Sequence, residues 1–219
     1  MAKSFYYDTA NIDLEALQRI SSGLYVLTTF DKKIANGCII DSIAFASHKP
    51  KKIVVCISKG SLTAEMIKES NVFTLSALSQ SAPWSLIHDF GYKSGLEFDK
   101  IRHLDNKAKG LNGCYYITKH VAFIIECVLT EVFLENDRYL LVGTVTASRS
   151  LSDEPVLTYD YYCKNIRKKD EHPGAEKTWK CSVCGYVYQA THLTKDVRCP
   201  VCGELAEEAF IHEDPYTRK

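Results

Sequence analysis

The chain has 219 residues, 46% of them hydrophobic and 25% charged, with 27 Lys plus Arg balanced by 27 Asp plus Glu. This is the composition of a folded globular chain, long enough for one large domain or for a medium domain with a small one. Zero net charge supplies no excess of Lys and Arg for a phosphate backbone, so nucleic acid is not an expected partner.

The opening stretch MAKSFYYDTANIDLEAL has no apolar core of the secretory type, and no segment approaches the length of a membrane span. A cytoplasmic protein with no membrane partner is expected. Of nine cysteines, four form two CxxC pairs and five (Cys38, Cys56, Cys114, Cys127 and Cys163) stand alone. An odd total without a secretion signal argues against a disulfide framework, and the five read as small buried hydrophobes in a reduced compartment.

In chain order, DLEALQRIS (13–21) predicts a helix with Leu14, Leu17 and Ile20 on one stripe. LYVLTTF (24–30), IANGCIIDSIAFAS (34–47) and KIVVCIS (52–58) read as strands, rich in Val, Ile, Thr and aromatics. SLTAEMIKES (61–70) predicts a second helix with Leu62, Met66 and Ile67 inward and Glu65, Lys68 and Glu69 outward. NVFTLSAL (71–78) is a strand. A short helix is expected after it, with Ser81 as N-cap and Pro83 in the first turn. CYYITKHVAFIIECVLTEVF (114–133) and YLLVGTVTAS (139–148) complete a mainly β pattern. Six or more strands with few helices point to a closed antiparallel barrel.

Composition changes at Lys164. The stretch 164–178 carries about one charge for every two residues and contains Pro173-Gly174, which reads as a solvated linker. Three parts are expected: a domain over 1–163, a linker over 164–178, and a small domain over 179–219. Fully extended, the linker would span at most roughly 50 Å.

The tail, WKCSVCGYVYQATHLTKDVRCPVCGELAEEAF (179–210), holds Cys181, Cys184, Cys199 and Cys202. Each CxxC presents two thiolates on one side of a tight turn, and two facing turns give tetrahedral S4 coordination of one metal. Gly185 and Gly203 follow the second cysteine of each pair, where the chain turns without a Cβ. A domain of about 40 residues buries too little surface to fold alone, so the metal contributes much of its stability. Spacing does not separate iron from zinc. The aromatics Trp179, Tyr186, Tyr188 and Phe210 favour a small dry pocket around a redox-active iron. CSVCGYVY followed by CPVCG resembles rubredoxin, and the fourteen-residue gap from Cys184 to Cys199 is similar to the short rubredoxin-like domain that ends rubrerythrins. The resemblance implies one Fe bound by four Cys, with zinc as a substitute.

Upstream, SKGSLTAEM (58–66) is a loop-to-helix junction suited to an anion: Lys59 supplies charge, Gly60 permits close approach, and Ser61 and Thr63 add hydroxyls beside the free N–H groups of the helix start. The same hydroxyls also read as ordinary helix caps. Asn36-Gly37 reads as a turn leading into a strand.

Residues 11 to about 162 resemble the flavin reductase-like, FMN-binding split barrel of flavoredoxins and high-molecular-weight rubredoxins. The resemblance lies in ISSGLYVLTT (20–29), NGCIIDSIAFAS (36–47), ISKGSLTAEMIKES (57–70), FGYKSGLEFDK (90–100) and LTYDYY (157–162). It implies a Greek-key split barrel and FMN at a homodimer interface. Asn36 opens the NG stretch, and Asp41, Ser42 and Ile43 would contact the ring. Ser58, Lys59, Ser61 and Thr63 would hold the phosphate, with Lys93 and Ser94 in a closing loop.

The chain departs from the family at Asp41-Ser42, where Asn-Thr is common, and at Phe45, where Gln is common. It also departs at Ser58 or Ser61 (Asn) and at Arg138 (His). A carboxylate at Asp41 beside a reduced, anionic flavin would oppose reduction unless it is protonated or turned away. Tyr159, Tyr161 and Tyr162 read as core or linker-anchoring residues, and His48, His88, His103 and His120 as surface or core histidines. No catalytic acid–base constellation is expected. The implied route runs from NAD(P)H through FMN to the iron and on to a flavodiiron-type terminal reductase. Two alternatives stay open: an electron carrier loaded by a separate reductase, and a zinc-ribbon binding protein without redox chemistry.

Overall fold

A computed structural model of the chain describes residues 20, 22–31, 34–167, 177–181, 183, 187–190, 197–199, 203–205 and 210–213. The expected helix over 13–21 lies outside the described residues but for Ile20. The chain divides into two compact units, Ser21–Arg167 and a second that includes Lys168–Lys219.

In the first unit the strands are β1 (Tyr25–Phe30), β2 (Ala35–Ile40), β3 (Ile43–His48), β4 (Lys51–Ser58), β5 (Val72–Leu78), β6 (Lys107–Lys109), β7 (Tyr115–Ile117), β8 (Val121–Glu135) and β9 (Arg138–Ser150). Helix α1 spans Leu62–Ser70 and α2 spans Trp84–Gly91, while a turn of helix at Tyr159–Tyr161 (α3) continues as a π-turn over Tyr162–Ile166. Seven strands form one sheet in the order β2-β1-β5-β8-β9-β4-β3, antiparallel at every pair.

The barrel is split, as the family resemblance implies. Its end strands β2 and β3 are not hydrogen-bonded neighbours in the sheet order, yet they are consecutive in the chain and joined only by Asp41 and Ser42. A two-residue link between the two ends of a seven-stranded order forces the sheet to roll up, leaving a seam at that link.

Alternation along β1 divides the core. Val26 packs on one face with Leu24, Leu78, Ile87, Phe90, Ile124 and Leu157. Leu27 packs on the other with Ile53, Val55, Phe73, Leu75 and Leu141, where α1 adds Ala64 and Ile67. Each fully buried large side chain of this kind contributes about 1.5–3 kcal/mol. The apolar run 34–47 is broken at Asp41-Ser42, and the run 114–133 is broken at 118–120, where His120 takes a left-handed φ of 61°. The short helix α2 starts two residues later than expected. Pro83 is its N-cap, and the Ser81 hydroxyl instead donates to Glu154 Oε2 at 2.6 Å.

Glu126 is fully buried in β8, and its Oε2 accepts from the Asn112 N–H at 2.9 Å. Asn112 in turn donates through Nδ2 to the Phe73 carbonyl (2.9 Å) and accepts from Thr74 Oγ1 (3.2 Å), clamping the 110–114 loop to the sheet. Burial pushes the neighbouring thiols Cys114 and Cys127 up to about 11 and about 12.

In the second unit, β10 (Lys177–Cys181), β11 (Val187–Ala190) and β12 (Phe210–Glu213) form an antiparallel sheet in the order β11-β10-β12. Ordered structure enters the charged stretch 164–178 from both ends: Lys164 to Ile166 belong to the π-turn, and Lys177 opens β10.

Two outcomes follow from this packing. Iodoacetamide at pH 8 should leave Cys114 and Cys127 unmodified in the folded chain and label them only in denaturant, as mass spectrometry of peptides would show. Gly143→Ala, whose Cβ would lie 2.5 Å from the Phe73 ring, should lower stability by about 1–3 kcal/mol in urea unfolding followed by fluorescence.

Candidate functional site

The β4–α1 junction ends in a helix start whose donors are not self-satisfied. Ser61 is the N-cap, with extended backbone (φ −78°, ψ 125°), but its hydroxyl makes no capping bond to the helix. The Ala64 N–H donates to the Ser61 carbonyl at 3.0 Å, which leaves the N–H groups of Leu62 and Thr63 available to a ligand. A Cβ on Gly60 would meet nothing within 4 Å, so the backbone there borders open space. Lys59 is exposed and its N–H is anchored on the Asp137 carbonyl at 2.8 Å, while the ladder sets Ser58 opposite Arg138. Two cations, Lys59 and Arg138, thus flank the same corner. Arg138 was noted in the sequence only as a departure.

Thr63 is buried on the first turn of α1, and its Oγ1 accepts from Asn36 Nδ2 of β2 at 3.3 Å. The Asn36 amide is 4% exposed, and Gly95 packs so closely on it that a Cβ there would lie 2.5 Å from the amide oxygen and nitrogen. Asn36, Thr63 and Gly95, from three separate stretches, thereby meet at one point. Cys38 follows two residues after Asn36 on the same strand. Burial pushes its thiol up, and it is drawn back by a hydrogen bond with Thr63, by the charge of Lys100 and by a hydrogen bond with Ser61. Lys100 is the residue here that motif reading left out. It closes the stretch FGYKSGLEFDK, where nothing in the pattern marks a lysine for burial.

At the seam the Ser42 hydroxyl donates to Asp41 Oδ1 at 2.8 Å, and the Ser42 carbonyl accepts from the Cys56 N–H at 3.0 Å. Ile43 packs against the barrel core. Tyr159, pushed up to about 12 by burial, then by Cys163 and more weakly by the Asp41 carboxylate, lies near the same seam. Lys93 is held by Asp89 at 2.7 Å and lies over the Phe98 ring at 4.1 Å, and Ser94 Oγ accepts from the Leu96 N–H at 3.2 Å. Both therefore serve the loop itself. Tyr162 is buried, stacks on Trp84 (6.1 Å, 5°) and bonds through its hydroxyl to that of Tyr92 at 3.0 Å. The histidines are likewise engaged. His48 stacks on Phe45, His88 on Tyr92 and His103 on Phe98, while His120 Nδ1 meets Ser81 Oγ at 3.0 Å.

In the second unit Cys181 ends β10 at 1% exposure, and Cys199 is 2% exposed. The chain around Cys199 forms a tight turn: the Gly203 N–H donates to the Cys199 carbonyl and the Cys199 N–H to the Glu204 carbonyl, both at 2.8 Å. Gly203 takes φ +77°, a conformation that favours glycine. Cys184, Cys202 and Gly185 lie outside the described residues. Two buried soft thiols, one on such a turn, suit iron or zinc chemically.

The sequence profile of the Flavin reductase like domain matches residues 17–167, and that of the rubredoxin-like domain of rubrerythrin matches residues 179–209. The chain belongs to the flavin reductase-like family and carries a rubredoxin-like domain behind it, so membership implies a flavin for the first unit and iron for the second. It is 28% identical, over 91% of its own length and 99% of the other's, to a high molecular weight rubredoxin of Moorella thermoacetica. It is 32% identical, over 74% of this chain and 94% of the relative, to a ferric-chelate reductase (NAD(P)H) of Archaeoglobus fulgidus. A flavoredoxin from Methanosarcina acetivorans shares the fold, with a TM-score of 0.53 at 20% identity over 68% of this chain and 76% of that one. Among the described residues no helix is long and apolar enough to cross a membrane.

The Asn36–Gly95 packing is open to direct measurement. Gly95→Ala should lower stability by about 1–3 kcal/mol. In the double variant with Asn36→Ala much of that loss should vanish, giving a coupling of about 0.5–3 kcal/mol in a thermodynamic cycle.

Proposed function

We propose that this chain is an electron-transfer oxidoreductase that takes electrons from NAD(P)H, holds FMN in the first domain (1–163) and one iron in a four-cysteine cage in the last (179–219), and delivers electrons to a flavodiiron-type terminal reductase. The observation that carries the reading is the meeting of Asn36, Thr63 and Gly95 beside an uncapped helix start. Bound there, a flavin supplies two-electron acceptance from a nicotinamide and one-electron release, while a thiolate-caged iron takes single electrons.

The protein's part is to bind and orient. Lys59, Ser61 and Thr63, with the first amides of α1 and Ser58 at the end of β4, receive the phosphate. Asn36 fixes the Thr63 hydroxyl. Asp41, Ser42 and Ile43 border the ring at the seam, where Asp41 Oδ1 accepts from the Ser42 hydroxyl. Lys93 and Ser94 shape the loop that ends in Gly95. Cys184 and Cys202 complete the cage begun by Cys181 and Cys199. The charged stretch 164–178 tethers the domains, raising effective concentration while letting the iron reach an acceptor.

A homodimer reading is supported by apolar side chains exposed on one half of the sheet: Phe45 at 62%, Phe133 and Leu134 at 52%.

Freshly purified full-length chain should be yellow-red, with flavin and iron near one each per chain. In anaerobic stopped-flow, NAD(P)H should bleach both the flavin and the ferric bands. Cys181→Ser should abolish the ferric band and leave flavin bleaching within about twofold, as independent sites require. Zinc alone with no flavin overturns the reading, and bleaching by dithionite but not by NAD(P)H reduces the chain to a carrier.

A further inference from the structure

The aromatic side chains beside α2 form one continuous column. Trp84 and Tyr92 open and cap the helix eight residues apart, on the same face. Trp84 stacks on Tyr162 of the π-turn, with ring centroids 6.1 Å apart and planes at 5°. The Trp84 and Tyr92 rings are 5.2 Å apart, and the hydroxyls of Tyr92 and Tyr162 meet at 3.0 Å. Tyr162 in turn lies 6.0 Å from Tyr159. Spacings of this kind are those of rings in contact.

The two ends of the column differ. The inner end is at the seam. The Tyr159 N–H donates to the Ser22 carbonyl at 2.8 Å, and Thr158 pairs with Gly23 just ahead of β1. There Tyr25 lies opposite Ile40, the residue before Asp41. Burial, then Cys163, push the Tyr159 hydroxyl up, and the Asp41 carboxylate adds to the effect from the seam. The outer end is Tyr92, 39% exposed, whereas Tyr162 in the middle is 4% exposed. Leu, Ile or Phe would serve packing at these positions. Indole and phenol differ from them in giving up one electron, and a phenol sheds its proton as it does so.

We propose that Tyr159, Tyr162, Trp84 and Tyr92 form a one-electron relay that joins the flavin seam to the surface and lets light drive reduction of the bound flavin. The inference rests on the reading that the first domain holds FMN with its ring at the seam. Oxidised flavin excited by blue light is a strong one-electron oxidant. It takes one electron from the Tyr159 phenol, and each inner ring is restored by an electron from its outer neighbour. The vacancy ends on Tyr92, whose phenolic proton goes to water. A soluble thiol restores Tyr92 by giving up a hydrogen atom, and two thiols so oxidised couple to a disulfide. One turnover thus moves one electron from thiol to flavin. A column that only anchored the charged stretch behind it would need rings of this shape but not oxidisable ones. Phenylalanine keeps the shape and removes the chemistry.

For the test, full-length chain loaded with FMN is illuminated with blue light under argon, with a soluble thiol as donor. A parallel sample carries a nitrone spin trap. Wild type should bleach its flavin and ferric bands, and peptide mass spectrometry should find the trap adduct on Tyr92. Tyr162→Phe, which interrupts the column at its middle, should slow photobleaching at least about tenfold and abolish the Tyr92 adduct, while Tyr161→Phe should stay within about twofold of wild type. Tyr92→Phe carries the same readout should the Tyr162 variant fail to fold. Equal photobleaching with and without the Tyr162 hydroxyl, or an adduct confined to residues outside the column, would overturn the relay while flavin binding by wild type still stands. A wild type that binds no flavin overturns the FMN reading beneath it.

Discussion

The two-residue link Asp41–Ser42 constrains everything at the flavin end. It joins the strands at the two ends of a seven-strand order, so the sheet closes on itself covalently where it does not close by hydrogen bonds. The roll that this imposes carries β2 to the β4–α1 junction. Asn36 and Thr63, 27 positions apart, share a hydrogen bond because of it. The bond from Cys56 N–H to the Ser42 carbonyl pins the link on the β4 side. A seam in a barrel leaves unpaired backbone groups, ordinarily a liability. Here part of the seam is paired within the fold, since the Ser42 carbonyl accepts from the Cys56 N–H and the Ser42 hydroxyl donates to Asp41.

Where local chemistry decides, the sequence was readable. The strands of β1, β4, β5, β8 and β9 announced themselves by β-branched runs, α1 by its periodicity, and the turn after the last CxxC by its glycine, Gly203, which proves left-handed. The breaks were not readable. Asp41-Ser42 and the turn at 118–120 sit within apolar runs whose composition does not change, and only pairing with different neighbours separates the strands. Ser81 looked like an N-cap, but a carboxylate 73 positions away holds its hydroxyl. Gly95 reads as a loop glycine, and only the Asn36 amide beneath it explains why no side chain fits. In each case the deciding contact is long-range.

Two buried ionisable side chains follow different logics. Glu126 lies among the barrel strands and is built into the structure. Asn112 donates its backbone N–H to Oε2, while Oε1 is buried with no hydrogen-bond partner among the described residues; Gly110 leaves room for the group, and the loop these residues form is held by further bonds to Phe73 and Thr74. It belongs to an internal polar network of the kind that fixes one loop conformation. Lys100 donates to the Gly37 and Phe90 carbonyls and lies 6.0 Å from the centroid of the Phe90 ring. A network that ends within the fold serves the fold.

The two units also differ in what holds them together, and this bears on how one chain can carry two centres. The first has two apolar clusters around a long sheet and positions its site by tertiary packing, so Asn36, Thr63 and Gly95 depend on the whole barrel. The second places Cys181 at a strand end and Cys199 on a glycine-terminated turn, where local backbone hydrogen bonds orient the thiol. A thiolate cage of this type is defined by short-range turns and by the metal itself. The cage proposed for the second unit therefore depends little on what precedes it in the chain, whereas the contacts among Asn36, Thr63 and Gly95 must be carried by a preformed core.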